Sequence, residues 1–231
     1  MRLVLFDIDG TILKVDRALS HQIASEAING VLGRSDSFRV PDTYRLHGRT
    51  DKMIFLDLCE FLGEGRKQVE PLLPVFEDLL VRGWQTHVNE KTVKVLPGIL
   101  ELLETLDNDE NVTLGLLTGN VINGAHAKLR PHNLNRFFPF GAFGSDSHDR
   151  NALPPIALKR ANQLNDHQFS FDHTVIIGDS YRDIECARTW GIRNVAVATG
   201  GLSAEELREH SPDKLVSTLE ETESLLNFIH S

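Results

Sequence analysis

The chain has 231 residues, 41% of them hydrophobic and 25% charged, which is enough apolar material for one large domain or a domain carrying an insert. With 24 Lys and Arg against 33 Asp and Glu the formal charge is −9, which argues against broad binding to nucleic acid or to an anionic membrane, since both need a basic face. The two cysteines, Cys59 and Cys186, form no CxxC or Cys/His array, so neither a zinc site nor a disulfide framework is expected.

No stretch approaches the roughly 18 apolar residues of a membrane span, and charge arrives at Asp7 before a signal-like apolar region can form. The expectation is a soluble, cytoplasmic protein. Residues 2–9, RLVLFDID, predict a buried strand that ends in two carboxylates, Asp7 and Asp9, ahead of Gly10. The following segment has no β-rich run. Helical patterns cover residues 19–32, 52–62 and 75–84, and Pro74 suits a first helical turn. A stretch this long cannot be a connecting loop in a compact domain. It reads as an all-helical domain, residues 15–94, inserted into a core made of residues 1–14 and 95–231.

Helical and strand patterns then alternate. A helix is predicted over 99–106, a strand over 112–120 (VTLGLLTGN), a helix over 156–164, a strand over 173–180 (HTVIIGDS), a helix over 184–190 and a strand over 194–201. Ser203-x-x-Glu206 reads as a capping box, and the tail as a surface helix with Leu219, Leu225, Leu226 and Ile229 available for packing. Continuous apolar strands alternating with helices imply a doubly wound, Rossmann-like parallel sheet. Three strands end in polar clusters: Asp7/Asp9, Thr118/Asn120 and Asp179/Ser180. Ligand sites in such sheets collect at the carboxyl ends of the strands, so the clusters should converge.

DIDGT, a strand ending in TGN, and GDSYRD near the C-terminus resemble motifs one, two and four of the haloacid dehalogenase-like phosphatases. The helical insert resembles the cap of the subgroup that includes phosphoglycolate phosphatases and β-phosphoglucomutases. The resemblance runs from Leu3 to about Leu202. It implies that Asp7 is a nucleophile forming an aspartyl phosphate, and that Asp9 is the general acid and base. It also implies a Mg²⁺ ion held by the Asp7 carboxylate, the Asp9 carbonyl and Asp179, with Asp183 contributing or simply capping its helix. Dehalogenases of the superfamily lack an acid where Asp9 stands, so Asp9 favours phosphoryl transfer.

Crowding gives the metal a physical reason. Two unit charges about 4 Å apart repel by about 4 kcal/mol at an effective dielectric of about 20, equivalent to about 3 pKa units. Residual repulsion should raise the pKa of Asp9. Thr118, Gly119 and Asn120 open a helix and are expected to bind phosphate through a hydroxyl and backbone N–H groups, with plain N-capping as the other reading. The third motif departs from the family pattern, because SDSHDRNALPPIALKRA holds no Lys-Pro. Arg150, ahead of the helix, is assigned to neutralise Asp7 and the phosphate, with Lys159 second. In HGRTD, residues 47–51, Arg49 is a candidate substrate contact, and Thr50 or Asp51 a helix cap. The expected activity is Mg²⁺-dependent hydrolysis of a small phosphorylated metabolite. The rivals are a sugar-phosphate mutase, a phosphonatase using Lys52, and a silent binding protein on the same fold.

Overall fold

The computed structural model describes residues 1–34 and 37–231. Strand β1 (Arg2–Phe6) leads into β2 (Leu13–Val15), followed by helices α1 (Arg17–Leu32), α2 (Asp51–Phe61), α3 (Arg66–Val69) and α4 (Leu73–His87). The chain returns through β3 (Val93–Val95), which pairs antiparallel with β2. Then come α5 (Ile99–Asp107), β4 (Val112–Leu117), α6 (Ile122–Leu129), β5 (Gly141–Ala142), α7 (Leu153–Leu164), β6 (Thr174–Gly178) and α8 (Tyr181–Thr189). Strand β7 (Arg193–Val197), α9 (Ala204–Glu209), β8 (Lys214–Val216) and α10 (Thr222–His230) complete it. Among the described residues no helix is long and apolar enough to cross a membrane.

The six-stranded sheet has the order β5-β4-β1-β6-β7-β8, with every pairing parallel. Successive side chains of a strand point to opposite faces, and the sequence of β1 supplies apolar residues for both. Val4 and Phe6 enter one core cluster with Ile99 and Leu103 of α5, Ala125 of α6 and Leu225 of α10. Leu3 and Leu5 enter another with Ala157 and Ala161 of α7 and Ala187 of α8. Helices therefore cover both faces, and the doubly wound expectation holds. Strand order reverses at β1, which places its carboxyl end at the topological switch point.

The ribbon β2–β3 carries the chain out to a helical layer and back. This layer has its own core, including Ile28, Phe55, Leu58, Phe76, Leu80 and Trp84. The same cluster takes in Val121 and Ala127 from the start and face of α6, so the helical layer is docked on the sheet domain through that helix. Phe55 and Phe76, both fully buried, stack at 4.5 Å between ring centroids. Phe76→Ala should cost about 3–5 kcal/mol through lost burial and the cavity left behind, read as a fall in thermal midpoint. Pro74 lies in the first turn of α4, as its fixed φ favours. The short strands β2, β3, β5 and β8 were not expected; two or three residues carry too little periodicity to announce a strand.

Candidate active site

Pairing of β1 with β6 extends to the Asp7 N–H, which donates to the Ile177 carbonyl at 2.9 Å. The chain then turns sharply: the N–H groups of Thr11, Ile12 and Leu13 all reach the Ile8 carbonyl. Gly10 has φ +88, a left-handed conformation that L side chains rarely adopt. This turn lifts Asp7 and Asp9 to the carboxyl edge of the sheet, beside the ends of β4 and β6.

The two carboxylates do not share one environment. Asp7 keeps 5% of its side-chain surface exposed, and its Oδ1 lies 3.0 Å from the guanidinium of Arg150. Asp9 keeps 34%, and Lys128 Nζ donates to both its oxygens at 2.9 and 2.7 Å. Each acid therefore has its own cation, which answers the crowding of the DxD pair. Burial raises the pKa of Asp7 to about 6 against the pull of Arg150, and the nearby Asp183 and Asp9 carboxylates add to the rise. For Asp9 burial acts in the same direction, but the charge and hydrogen bonds of Lys128, with that of Asn120, outweigh it. The pKa of Asp9 is lowered, not raised as like-charge repulsion alone implied. The correction comes from a lysine that the sequence reading did not place here.

Arg150 is buried in the 3₁₀ turn that precedes α7. Its guanidinium also donates to Asp183, to the Leu117 carbonyl at 3.2 Å and to the Gly48 carbonyl at 3.4 Å. Burial works against its charge, but Asp183 and Asp7 hold its pKa above the ordinary arginine value. Lys159 is exposed on α7 and takes no part in this buried cluster. Nearly two turns into α7, its side chain faces solvent.

Asp179 follows β6 directly and is 1% exposed. Neither of its carboxylate oxygens has a hydrogen-bond partner. Burial, then Asp7 and Asp183, raise its pKa well above the usual carboxylate range. Asp183 is differently engaged: its Oδ2 accepts from the Ser180 N–H at 3.0 Å and hydroxyl at 2.7 Å, completing the capping box of α8, while Oδ1 faces Arg150. Asp7, Asp179 and Asp183 each offer an oxygen within 4.8 Å of the others. A Cβ at Gly10 or Gly200 would fall 2.3 or 1.5 Å from Asp179 Oδ2, so the backbone closes tightly around these oxygens. An all-oxygen donor set holding two orphaned oxygens fits a hard divalent cation.

Thr118, directly after β4, is fully buried, its hydroxyl accepting from the backbone N–H and side-chain amide of Asn120 at 3.3 and 2.8 Å. The Asn120 amide also donates to Asp9 at 2.7 Å, and its carbonyl accepts from Lys128 at 2.6 Å. The Asn120 side chain is thus turned to Asp9 and Lys128. The start of α6 is likewise taken: Asp51 accepts from the Val121 N–H at 2.8 Å, and the Asp51 N–H donates to the Gly119 carbonyl at 2.8 Å. Burial raises the pKa of Asp51 to about 6. Thr50 caps α2, accepting from the Met53 N–H at 3.2 Å. Arg49 pairs with Asp57 and stacks on Tyr44, so its charge is held inside the helical layer. Lys52 binds the Ser145 carbonyl at 2.6 Å and Glu77 at 3.3 Å, and does not enter the carboxylate cluster.

The chain thus forms a doubly wound sheet with a helical insert after its first strand and with paired acids and cations at its switch point. The chain belongs to the haloacid dehalogenase-like hydrolases, whose family profile matches residues 4–197. It is 26% identical over 221 residues to a phosphoglycolate phosphatase of Vibrio vulnificus, covering 95% of this chain and 93% of that protein. It is 19% identical over 225 residues to a pyrophosphatase of Oceanobacillus iheyensis, covering 96% and 94%. Similar folds include a hydrolase from Pseudomonas syringae (22% identity, TM-score 0.71, all of both chains covered). CbbY from Rhodobacter sphaeroides, solved with phosphate, is also similar (18%, TM-score 0.71, 96% of both chains).

Proposed function

We propose that the protein hydrolyses a small phosphomonoester in a Mg²⁺-dependent reaction that passes through phosphorylated Asp7. The observation that carries this reading is the pairing of buried Asp7 with Arg150 beside the partnerless oxygens of Asp179. Asp7 Oδ attacks phosphorus and the bond from phosphorus to the ester oxygen breaks; Asp9, the more exposed acid, delivers the proton to the departing oxygen. Asp9 then takes a proton from the water that cleaves the acyl phosphate, and phosphate leaves. Arg150 offsets charge on Asp7 and on the phosphoryl oxygens. The carboxylates of Asp7 and Asp179 and the Asp9 carbonyl would hold Mg²⁺, which would supply positive charge to the phosphate and to the crowded acids. Thr118 is positioned by its strand end to bind a phosphoryl oxygen. The helical layer meets the site through Gly48, Thr50 and Asp51. Such close docking favours a small metabolite, in keeping with the phosphatase names of the relatives.

The test is phosphate release from a panel of phosphorylated metabolites with Mg²⁺, with product analysis to separate transfer to water from transfer to a second sugar hydroxyl. Isomerised sugar phosphate without free phosphate would replace hydrolase by mutase. A folded protein that releases phosphate from no ester, including aryl phosphates, would overturn the reading.

Metal dependence follows directly. Activity should vanish in EDTA and return with Mg²⁺ but poorly with Ca²⁺, which takes more ligands at longer distance. Asp183→Ala should raise the Mg²⁺ requirement by about 10-fold to 100-fold, the usual range for a group behind the ligands, and Asp179→Ala by clearly more. Thermal melts in EDTA provide a check free of turnover. Asp179→Asn removes a buried carboxyl that has no hydrogen-bond partner and crowds Asp7 and Asp183, so its metal-free midpoint should lie above that of the parent protein. Asp183→Ala, which strips an acceptor from Arg150 and Ser180, should melt lower.

A further inference from the structure

We propose that Lys128 is a positioning residue that holds Asp9 in its working orientation, and that the helical layer sets Lys128 by covering it with Trp84. The inference rests on the phosphatase reading above and extends it to a residue outside the family-like motifs.

Lys128 lies on α6, only 4% exposed. Its ammonium has three donors, and all three are spent at the site: two on the oxygens of Asp9 and one on the Asn120 carbonyl. Asn120 closes the arrangement by donating to Asp9 Oδ2 at 2.7 Å. Asp9 is thus gripped on both oxygens by groups that cannot turn independently. On the other side the ammonium faces the ring of Trp84, 4.1 Å from its centroid. Trp84 belongs to α4 of the helical layer, is 4% exposed, and its indole N–H has no partner. A buried indole usually finds an acceptor; here the ring face meets a cation instead, and a desolvated cation–π contact is a strong one. Asp51, from α2, adds a carboxylate to the same neighbourhood at the N-terminus of α6. The lysine is therefore a junction whose core side is Asp9 and whose outer side exists only while the helical layer is docked. Withdrawal of Trp84 would expose the ammonium to water and loosen its hold on Asp9.

Aryl phosphates of graded leaving-group acidity test this with wild type, Lys128→Met, Lys128→Arg and Trp84→Leu, all with Mg²⁺. An ester whose leaving group needs no proton is indifferent to where Asp9 points. For phenyl phosphate, kcat/KM of Lys128→Met should fall about 10²-fold or more, the usual worth of a placed general acid. For 2,4-dinitrophenyl phosphate it should fall less than about tenfold, with KM within about threefold for both. Lys128→Arg should recover most of the phenyl phosphate loss. Trp84→Leu should repeat the leaving-group dependence at about tenfold. Equal losses for both esters, or none, would overturn the proposal and leave Lys128 a structural ion pair. Should Lys128→Met fail to fold, the same criteria apply to Lys128→Arg and Trp84→Leu. Hydrogen exchange without substrate separates this inference from the phosphatase reading. Amides of α4 should exchange about tenfold faster in Lys128→Met if the lysine ties the layers, even if no ester is cleaved; unchanged exchange there also overturns the proposal.

Discussion

Asp7→Asn is expected to abolish turnover while leaving a folded protein. An amide oxygen is a poor nucleophile, and an amide cannot form the acyl phosphate on which the second half of the reaction depends. Removal of a catalytic nucleophile typically leaves only the residual catalysis of the surrounding site, a loss of about 10⁴-fold or more. The fold should tolerate the change. Asp7 is buried, and burial already raises its pKa to about 6, so its charge is carried at a cost in the metal-free protein. A neutral side chain of the same shape removes that cost but leaves Arg150 with Asp183 as its carboxylate partner. The melting midpoint should change by a few degrees at most, and mass analysis of acid-quenched wild type should find phosphate on the Asp7 peptide but none in the variant. Turnover within about 100-fold of wild type would remove Asp7 from the nucleophile's place.

Much of the candidate site was legible because it lies at strand ends. A run such as Leu3–Phe6 or Val175–Gly178 announces a buried strand by composition, and the first polar residue after it must sit at the sheet edge. Asp7, Thr118 and Asp179 were singled out as candidates in this way, and parallel pairing of β1 with both β4 and β6 brings them to one edge. Arg150 was reachable by its position before a helix that opens with two prolines. Lys128 was not found, since it sits in the last turn of α6, eight residues beyond Asn120, in a stretch that reads as polar surface. Side chains on a helix lean toward its N-terminus, and lysine is long enough to reach back past the first turn to Asn120 and Asp9. A faint signal existed: Val121, Ala125 and Lys128 follow the i, i+4, i+7 spacing of one helix face, and the first two are buried. A cation on an apolar stripe directly after a strand-end motif is the pattern to look for.

The same limit explains the electrostatic correction. Sequence shows that acids are near one another, but it does not show which cation each will meet. Repulsion within the DxD pair implied a raised pKa for Asp9, yet a third acid, Asp51, and the ammonium of Lys128 arrive from elements distant in sequence. The net effect on any one carboxylate depends on those tertiary partners. Arg49 shows the converse. Its place in a loop over the site suggested substrate contact, and only the fold reveals that Asp57, two turns along α2, holds its charge.

Arg150→Ala should lower kcat by about 10²–10³-fold, the usual loss when an electrostatic stabiliser is taken from a partly closed site. The guanidinium serves Asp7 and Asp183 together and ties the end of β4 to the helical layer through the Leu117 and Gly48 carbonyls. Its loss leaves three buried carboxylates with no arginine between them. Breaking a buried ion pair by deleting one partner commonly costs about 3–5 kcal/mol, because the remaining charge is stranded. The variant should therefore melt well below wild type in EDTA, and Mg²⁺ should recover more of that midpoint than it adds to wild type, since the ion offsets the same charges. Arg150→Lys returns charge without the planar fork, so it should regain part of the rate but cannot face Asp7 and Asp183 with one rigid group. Lys159→Ala, on the exposed face of α7, should stay within about threefold of wild type, the rate equivalent of a surface change near 0.5 kcal/mol. Steady-state kinetics and melts on the three variants decide the matter: an inactive Lys159→Ala beside an active Arg150→Ala would show that the phosphate is neutralised from α7 after all, in a conformation in which that helix turns its cation inward.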